Sequence, residues 1–203
     1  MTDKNDFSLK NSGDNPFDLF DKWYNERLNS GTEIPGSVAL GTASPGGSVS
    51  IRMVLLKSYD ESGFVFFTNY NSKKGIQLNS MSQSAMLFYW PELRRQVRIE
   101  GISEKVPLTE SEHYFKTRPR ESQIAAWASA QSREIPDRQY LEDLFEKYSL
   151  QFESKEVPRP SYWGGFRLVP HWFEFWEEGK SRMHYRVSYT KKNSLWIKAL
   201  LAP

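Results

Sequence analysis

The sequence predicts a mainly antiparallel β fold, a barrel or a sandwich, with helices at its periphery. Three observations lead there. Short apolar or alternating runs recur between strong turn signals such as Ser44-Pro45-Gly46-Gly47 and Asp60-Glu61-Ser62-Gly63. The middle of the chain, from Thr109 to Phe152, switches to helical spacing, and strand patterns resume after Pro160. No repeat and no clean linker separates the two strand sets, so a β-α-β order within a single domain, residues 15–203, is expected.

In chain order, residues 1–14 are polar and read as a flexible N-terminal tail. Asn15-Pro16 reads as an N-cap followed by proline in the first turn. Phe20, Trp23, Tyr24, Arg27 and Leu28 give that helix one packed face, and Gly31 ends it. Strands follow at Ser37 to Ala43, Ser48 to Lys57, Phe64 to Thr68, Ser84 to Trp90 and Gln96 to Val106. Ser72-Lys73-Lys74 opens a short helix through Leu78. Thr109-Glu110-Ser111-Glu112 fits a capping box. Pro119 ends that helix and begins another through Ala128. Pro136-Asp137 starts a third, whose stripe of Leu141, Leu144, Phe145, Tyr148 and Phe152 reads as core-facing. The last strands are Trp163 to Leu168, Trp172 to Glu177, Met183 to Tyr189 and Leu195 to Lys198.

Composition narrows the function. Aromatic residues make up 15% of the chain, enough for a ring-rich core or a flat-ring ligand. The net charge of +2 is too small for the concentrated basic stripe of a nucleic-acid binder. With no cysteine and three scattered histidines, thiol chemistry is excluded and no metal centre is expected. No stretch is apolar and long enough to span a membrane, and Met1-Thr2-Asp3-Lys4-Asn5-Asp6 lacks a signal-peptide pattern, so a cytoplasmic location is expected.

What recurs is cations beside aromatics. Arg52 and Lys57 bracket an apolar strand, but their odd spacing sends them to opposite faces unless a bulge or the strand end re-aims one. Lys73 and Lys74 sit at a helix N-terminus, a plausible phosphate seat or an ordinary solvated helix start. Tyr114 and Arg118 share a helix face at i and i+4, with Ser122 just beyond Pro119. A structural tyrosine–arginine contact is at least as common as a phosphate clamp. In Arg182-Met183-His184-Tyr185-Arg186, strand alternation puts Arg182, His184 and Arg186 on one face and Met183, Tyr185 and Val187 on the other. Three such groups together call for an anionic or electron-rich partner, and a solvated sheet edge explains them equally well. No nucleophile–base pair and no glycine-rich nucleotide loop stands out. That profile suits a protein that holds phosphorylated aromatic molecules and leaves the hard chemistry to a cofactor.

In order along the chain, RMVLLK at 52–57, FTNYNSKKG at 67–75, RRQVRIEG at 94–101, YFKTRPRESQIAAWAS at 114–129, QS at 131–132, PSYWGGFRL at 160–168, FEFW at 173–176, RMHYR at 182–186 and the final LAP resemble the pyridoxine/pyridoxamine 5′-phosphate oxidase family. The resemblance implies a split β-barrel, a homodimer with FMN at its interface, and oxidation of pyridoxine or pyridoxamine 5′-phosphate to pyridoxal 5′-phosphate with O2 as acceptor. It implies that Arg52, Met53, Val54, Leu55, Leu56, Lys57, Phe67, Thr68, Lys73, Lys74, Gln96, Gln131, Ser132, Trp176 and Arg186 hold FMN. Lys57, Tyr114, Arg118 and Ser122 would bind the substrate, with Arg182 and His184 facing its ring as the catalytic pair.

Three departures from the family pattern stand out. Lys73 replaces an arginine, keeping the charge but losing the fork, so weaker FMN binding is expected. The N-terminal stretch lacks the Arg-x-x-Tyr and Gly-Gly-Leu motifs that cover the site in many members. Tyr185 replaces an aspartate, on the face turned away from the ligand, and slower turnover is expected. A related flavin oxidase for another aromatic substrate, as in phenazine biosynthesis, is the nearest alternative. A non-catalytic FMN or pyridoxal-phosphate binding protein is the other.

Overall fold

A computed structural model describes residues 12–31 and 34–203. Its elements are α1 (Pro16–Leu28), β1 (Ser37–Ala43), β2 (Val49–Leu55), β3 (Ser58–Asp60), β4 (Gly63–Asn69), α2 (Lys73–Ser80), β5 (Gln83–Trp90), β6 (Arg95–Lys105), α3 (Leu108–Thr117), α4 (Arg120–Ala128), α5 (Arg138–Gln151), β7 (Trp163–Glu177), β8 (Tyr185–Lys192) and β9 (Leu195–Leu200). The strands form one antiparallel sheet in the order β2-β1-β5-β6-β7-β4-β3, with β8 and β9 branching from β7.

The branch exists because β7 is long, 15 residues, and bends. Its start, Trp163 to Leu168, pairs with β4, and its end, Trp172 to Glu177, pairs with β8. Strand β6 runs along both parts with a register shift at Glu100/Gly101. Pro170 sits at that shift, where its missing N–H costs no regular ladder bond. Gly101 is obligatory there, because a Cβ would lie 2.2 Å from the Val169 carbonyl oxygen. The barrel closes where β2 ends. The Leu56 N–H donates to Gly36 O (2.8 Å) and the Lys57 N–H to Val65 O (2.8 Å), stitching the end of β2 to β4.

Alternation explains the core. Val38, Leu40, Phe64, Phe66, Met86, Phe88, Val97, Ile99, Phe166, Phe173, Phe175, Val187 and Tyr189 point inward from successive strands and are buried. Helix α1 lies across them. Phe20 meets Tyr59, Phe64 and Phe88 edge-on at 4.9, 4.9 and 5.1 Å. Each such ring contributes about 1.5–3 kcal/mol through burial. A smaller cluster of Phe115, Ile124, Phe152, Val157 and Trp163 lies under α3 and α4.

The architecture is the expected split barrel, with local differences. The capping box does not form: α3 begins at Leu108, after Pro107, so Thr109 is already inside the first turn. Proline's fixed φ leaves the chain extended at residue 107 and starts the helix early. The stripe on α5 is only half-buried up to Tyr148, because it packs on α4 and not on the barrel core; Phe152 alone is buried. Strand β8 starts at Tyr185, not Met183, and Lys180 to Met183 form a tight turn with left-handed backbone at Ser181 and Arg182. Residues 1–11 of the expected tail lie outside the described residues. Ser12 to Asp14, read as part of that tail, are tied to the C-terminal hairpin: the Tyr189 hydroxyl donates to Ser12 O (2.6 Å) and Lys198 pairs with Asp14 (2.9 Å). Among the described residues, no helix is long and apolar enough to cross a membrane.

Candidate active site

Strands β2 and β4 and helices α3 and α4 enclose a cavity of about 620 Å³. Lys57, Lys74 and Arg118 line it, with Tyr114, Ser122, Gln131, Thr68 and the edge of β2 from Met53 to Leu55. Among the described residues that line it, none is acidic.

Each cation arrives by a different route. Lys57 reaches the cavity because β2 has already ended, and its ammonium lies 5.7 Å from the Tyr114 ring centroid. Arg52, still within the strand, points the other way, as parity requires. It donates to Leu40 O (3.0 Å), Thr42 Oγ1 (2.6 Å) and Gln77 Oε1 (3.3 Å). Leu56 packs into the barrel core and does not line the cavity.

Ser72 caps α2 by accepting from the Gly75 N–H (3.3 Å), which places Lys74 in the first turn and turns it inward. Its ammonium donates to Thr68 Oγ1 (3.2 Å) and Gln131 Oε1 (3.1 Å). Neither partner is charged. Burial, and then the nearby Arg52 charge, pull the Lys74 pKa down to about 8. Its neighbour Lys73 is exposed and outside the lining. Ser132 is exposed as well, with φ 69° beside Gln131.

Flat rings form the opposite wall. Phe67 stacks on Tyr114 with centroids 4.0 Å apart and on Trp163 at 5.4 Å. Arg118 lies over the Trp163 ring at 4.6 Å, where α3 ends. Its Nη1 is buried without a hydrogen-bond partner among the described residues, and burial lowers the pKa of the guanidinium. A buried donor left unmade costs about 1–3 kcal/mol. Pro119 and Ser122 bring the N-terminus of α4, with its free N–H groups, to the same place.

The remaining expected residues gather elsewhere. Gln96, Trp176 and Arg186 form one cross-strand row on β6, β7 and β8. His184 lies tilted against Trp176, with ring centroids 4.7 Å apart, and Arg182 is exposed in the preceding turn. The alternation expected over residues 182–186 therefore applies only from Tyr185 onward; the turn carries Arg182 and His184. None of these five lines the cavity.

Glu174, unforeseen in the sequence reading, organises the row. It is 2% exposed and accepts from Arg98 Nη1 (2.9 Å) and Arg186 Nε (2.7 Å). The Glu174 hydrogen bond raises the Arg186 pKa. Arg186 Nη1 donates to Ala202 O (2.6 Å), so the LAP segment also steadies that guanidinium. The signal for Glu174 was available: an acid between Phe173 and Phe175 in a buried strand needs a cationic partner.

The row shares its sheet face with an apolar patch. Val49, Ile51 and Met53 on β2 are 76%, 70% and 61% exposed, and Tyr89, Leu195 and Ile197 are exposed on the same face. Such a patch marks an interaction surface.

Comparison with known proteins agrees with this geometry. Residues 25–152 match the family model "Pyridoxamine 5′-phosphate oxidase" and residues 163–203 match "Pyridoxine 5′-phosphate oxidase C-terminal dimerisation region". A pyridoxine/pyridoxamine 5′-phosphate oxidase of Trichormus variabilis is 47% identical over 179 residues, 88% of this chain and 84% of that one. Pyridoxine/pyridoxamine 5′-phosphate oxidase 2 of Hydrogenovibrio crunogenus is 43% identical over 200 residues, 98% of this chain and 94% of that one. The crystal structure of PhzG from Burkholderia lata, in complex with tetrahydrophenazine-1-carboxylic acid, superposes with a TM-score of 0.90 at 28% identity, covering 96% of this chain and 95% of that one. The chain belongs to the pyridoxamine 5′-phosphate oxidase family.

Proposed function

We propose that the protein is an FMN-dependent pyridoxine/pyridoxamine 5′-phosphate oxidase, converting either vitamer to pyridoxal 5′-phosphate with O2 as electron acceptor and H2O2 as product, the amine vitamer also taking up water and releasing ammonia. The observation that carries this reading is the cavity beside stacked rings whose lining, among the described residues, has three cations, no acid and a buried Arg118 Nη1 without a partner. That environment suits two flat molecules that each carry a phosphate.

The residues fit FMN. Lys74 has only neutral oxygens around its ammonium, with Arg52 behind it, so a phosphate supplies the missing counter-charge. Thr68 and Gln131 flank that seat, Lys73 and Ser132 are the chain neighbours of Lys74 and Gln131 at exposed positions, and Met53 to Leu55 offer an edge for the ring system. When bound, FMN supplies two-electron redox chemistry, accepting a hydride from the substrate's exocyclic carbon and reducing O2. Tyr114, Arg118, Ser122 and Lys57 hold the substrate phosphate and so orient that carbon. Arg182 and His184 face the substrate ring and steady its changing charge.

A homodimer unites the two sets of residues. Gln96, Trp176, Arg182, His184 and Arg186 reach the cavity from the partner subunit, through the apolar face of β2, β5 and β9. Tyr185 lies on the face opposite Arg186, across from Glu177, and acts on the site through its neighbours.

The assay is direct. Purified protein is expected to be yellow and, given pyridoxine 5′-phosphate in air, to form pyridoxal 5′-phosphate and peroxide in equal amounts. Yellow protein without turnover means a binding protein. Turnover only of aromatic substrates without phosphate means a phenazine-type oxidase, and protein that cannot be loaded with FMN overturns every flavin reading.

The lowered Lys74 pKa gives a pH dependence. Below about 8 the free lysine is already charged; above that value phosphate binding must first restore its proton. FMN affinity is therefore expected to fall as pH rises through that range, with proton uptake on binding. Calorimetry of the apoprotein in buffers of different ionisation enthalpy checks this, and Lys74→Arg should abolish the uptake.

A further inference from the structure

The turn between β7 and β8 is built with unusual constraint. Ser181 and Arg182 both adopt left-handed backbone, with φ 53° and 65°. Two consecutive non-glycine residues in that region persist only where the surroundings enforce them. The Met183 N–H donates to Lys180 O (3.0 Å), curling the chain back over Gly179. A Cβ on Gly179 would lie 1.8 Å from Met183 O, so no other residue fits while this turn stands.

The turn ends on His184. The Gly179 N–H donates to His184 Nδ1 at 3.3 Å, and the imidazole lies against the Trp176 ring at 4.7 Å. A backbone N–H has no lone pair to offer, so the nitrogen facing it must be the acceptor. A neutral imidazole carries one hydrogen, and that hydrogen is left to Nε2.

We propose that Gly179 is a positioning residue that holds His184 in the Nε2–H tautomer. His184 then meets the bound ligand as a hydrogen-bond donor, and the atom it recognises is an acceptor on the substrate, an oxygen or a nitrogen lone pair. This rests on the proposed placement of His184 at the substrate ring. The indole fixes the ring plane, the Gly179 N–H fixes which nitrogen turns inward, and the start of β8 fixes the Cα.

Long-range 1H–15N correlation of the 15N-labelled, FMN-loaded protein tests it, with the His184 signals assigned by their loss in His184→Gln. The expected pattern for neutral His184 is a protonated Nε2 and an unprotonated Nδ1. Gly179→Ala is expected to mix or invert that pattern and to lower kcat by roughly 10- to 100-fold while FMN content and substrate KM stay near wild type. An Nδ1–H tautomer in the wild-type protein overturns the proposal, whatever the variant does. The expected tautomer together with a His184→Gln enzyme of undiminished kcat would instead overturn the placement of His184 at the substrate.

Discussion

Arg118→Ala is expected to raise KM for pyridoxine 5′-phosphate by ~30- to 1,000-fold, with a smaller fall in kcat. Truncating one partner of a buried, hydrogen-bonded charge pair costs about 2–4 kcal/mol, and each 1.4 kcal/mol is tenfold. Arg118 sits at the top of that range because its Nη1 is buried, has no partner among the described residues, and is pinned over Trp163. The phosphate is remote from the carbon that is oxidised, so the loss falls on binding more than on chemistry. A substrate without phosphate supplies the control: with pyridoxine, wild type and Arg118→Ala should perform alike. Arg118→Lys is expected to recover part of the loss, since an ammonium keeps the charge without the planar fork. The ligand-free variant should unfold close to the wild-type temperature, because the unsatisfied donor disappears with the side chain. Steady-state kinetics on the two substrates decides the matter. An equal loss on both would show that Arg118 shapes the cavity and does not grip the phosphate.

The second large effect concerns which subunit supplies what. With substrate near the wild-type KM, Arg118→Ala and Arg182→Ala homodimers are each expected to turn over poorly, and Arg182→Ala should keep its FMN. Refolded together, they should regain about a quarter of wild-type activity. If Arg118 comes from one protomer and Arg182 from its partner, as proposed, one site of a mixed dimer carries both changes and the other carries neither. Half of the dimers are mixed, and each has one intact site. If both residues of a site belonged to one chain, mixing would restore nothing. The geometry favours the shared arrangement: Arg118 lines the cavity, Arg182 does not, and the apolar face on β2 and β9 lies open.

The parts of the fold that were legible in the sequence are those bracketed by strong local signals. Ser37 to Ala43 forms a strand over the expected range because a turn follows at Ser44 and alternation is clean. Asn15 caps α1 and Asp137 caps α5 for the same local reason. Long-range events were not legible. Ser58–Asp60 is a strand of 3 residues, too short to carry a period, and it exists only because β4 lies beside it. The α5 stripe has core periodicity, yet what it faces is set by α4. Alternation over residues 182–186 failed because two left-handed residues interrupt it, and nothing in Ser181-Arg182 announces that conformation. In the site, Tyr114 and Arg118 both line the cavity, although α3 ends at Thr117 and Arg118 follows it with extended backbone, so the shared helix face expected from their spacing does not form. Lys57 joins them only because β2 stops at Leu55, an outcome decided by the bonds to Gly36 and Val65.

Strand β7 has a consequence for how the chain is made. It is the partner of both β4 and β6, and Asn69 pairs with Trp163 across the whole helical middle of the sequence. During synthesis, one edge each of β4 and β6 waits unpaired while residues up to Glu177 emerge from the ribosome. Of those waiting segments, Phe64 to Phe67 is wholly apolar, and Val97 and Ile99 add an apolar stripe on β6. The nascent polypeptide therefore passes through an obligatory interval as an open, sticky sheet. Chaperone supply during translation should govern its soluble yield more strongly than the stability of the finished barrel.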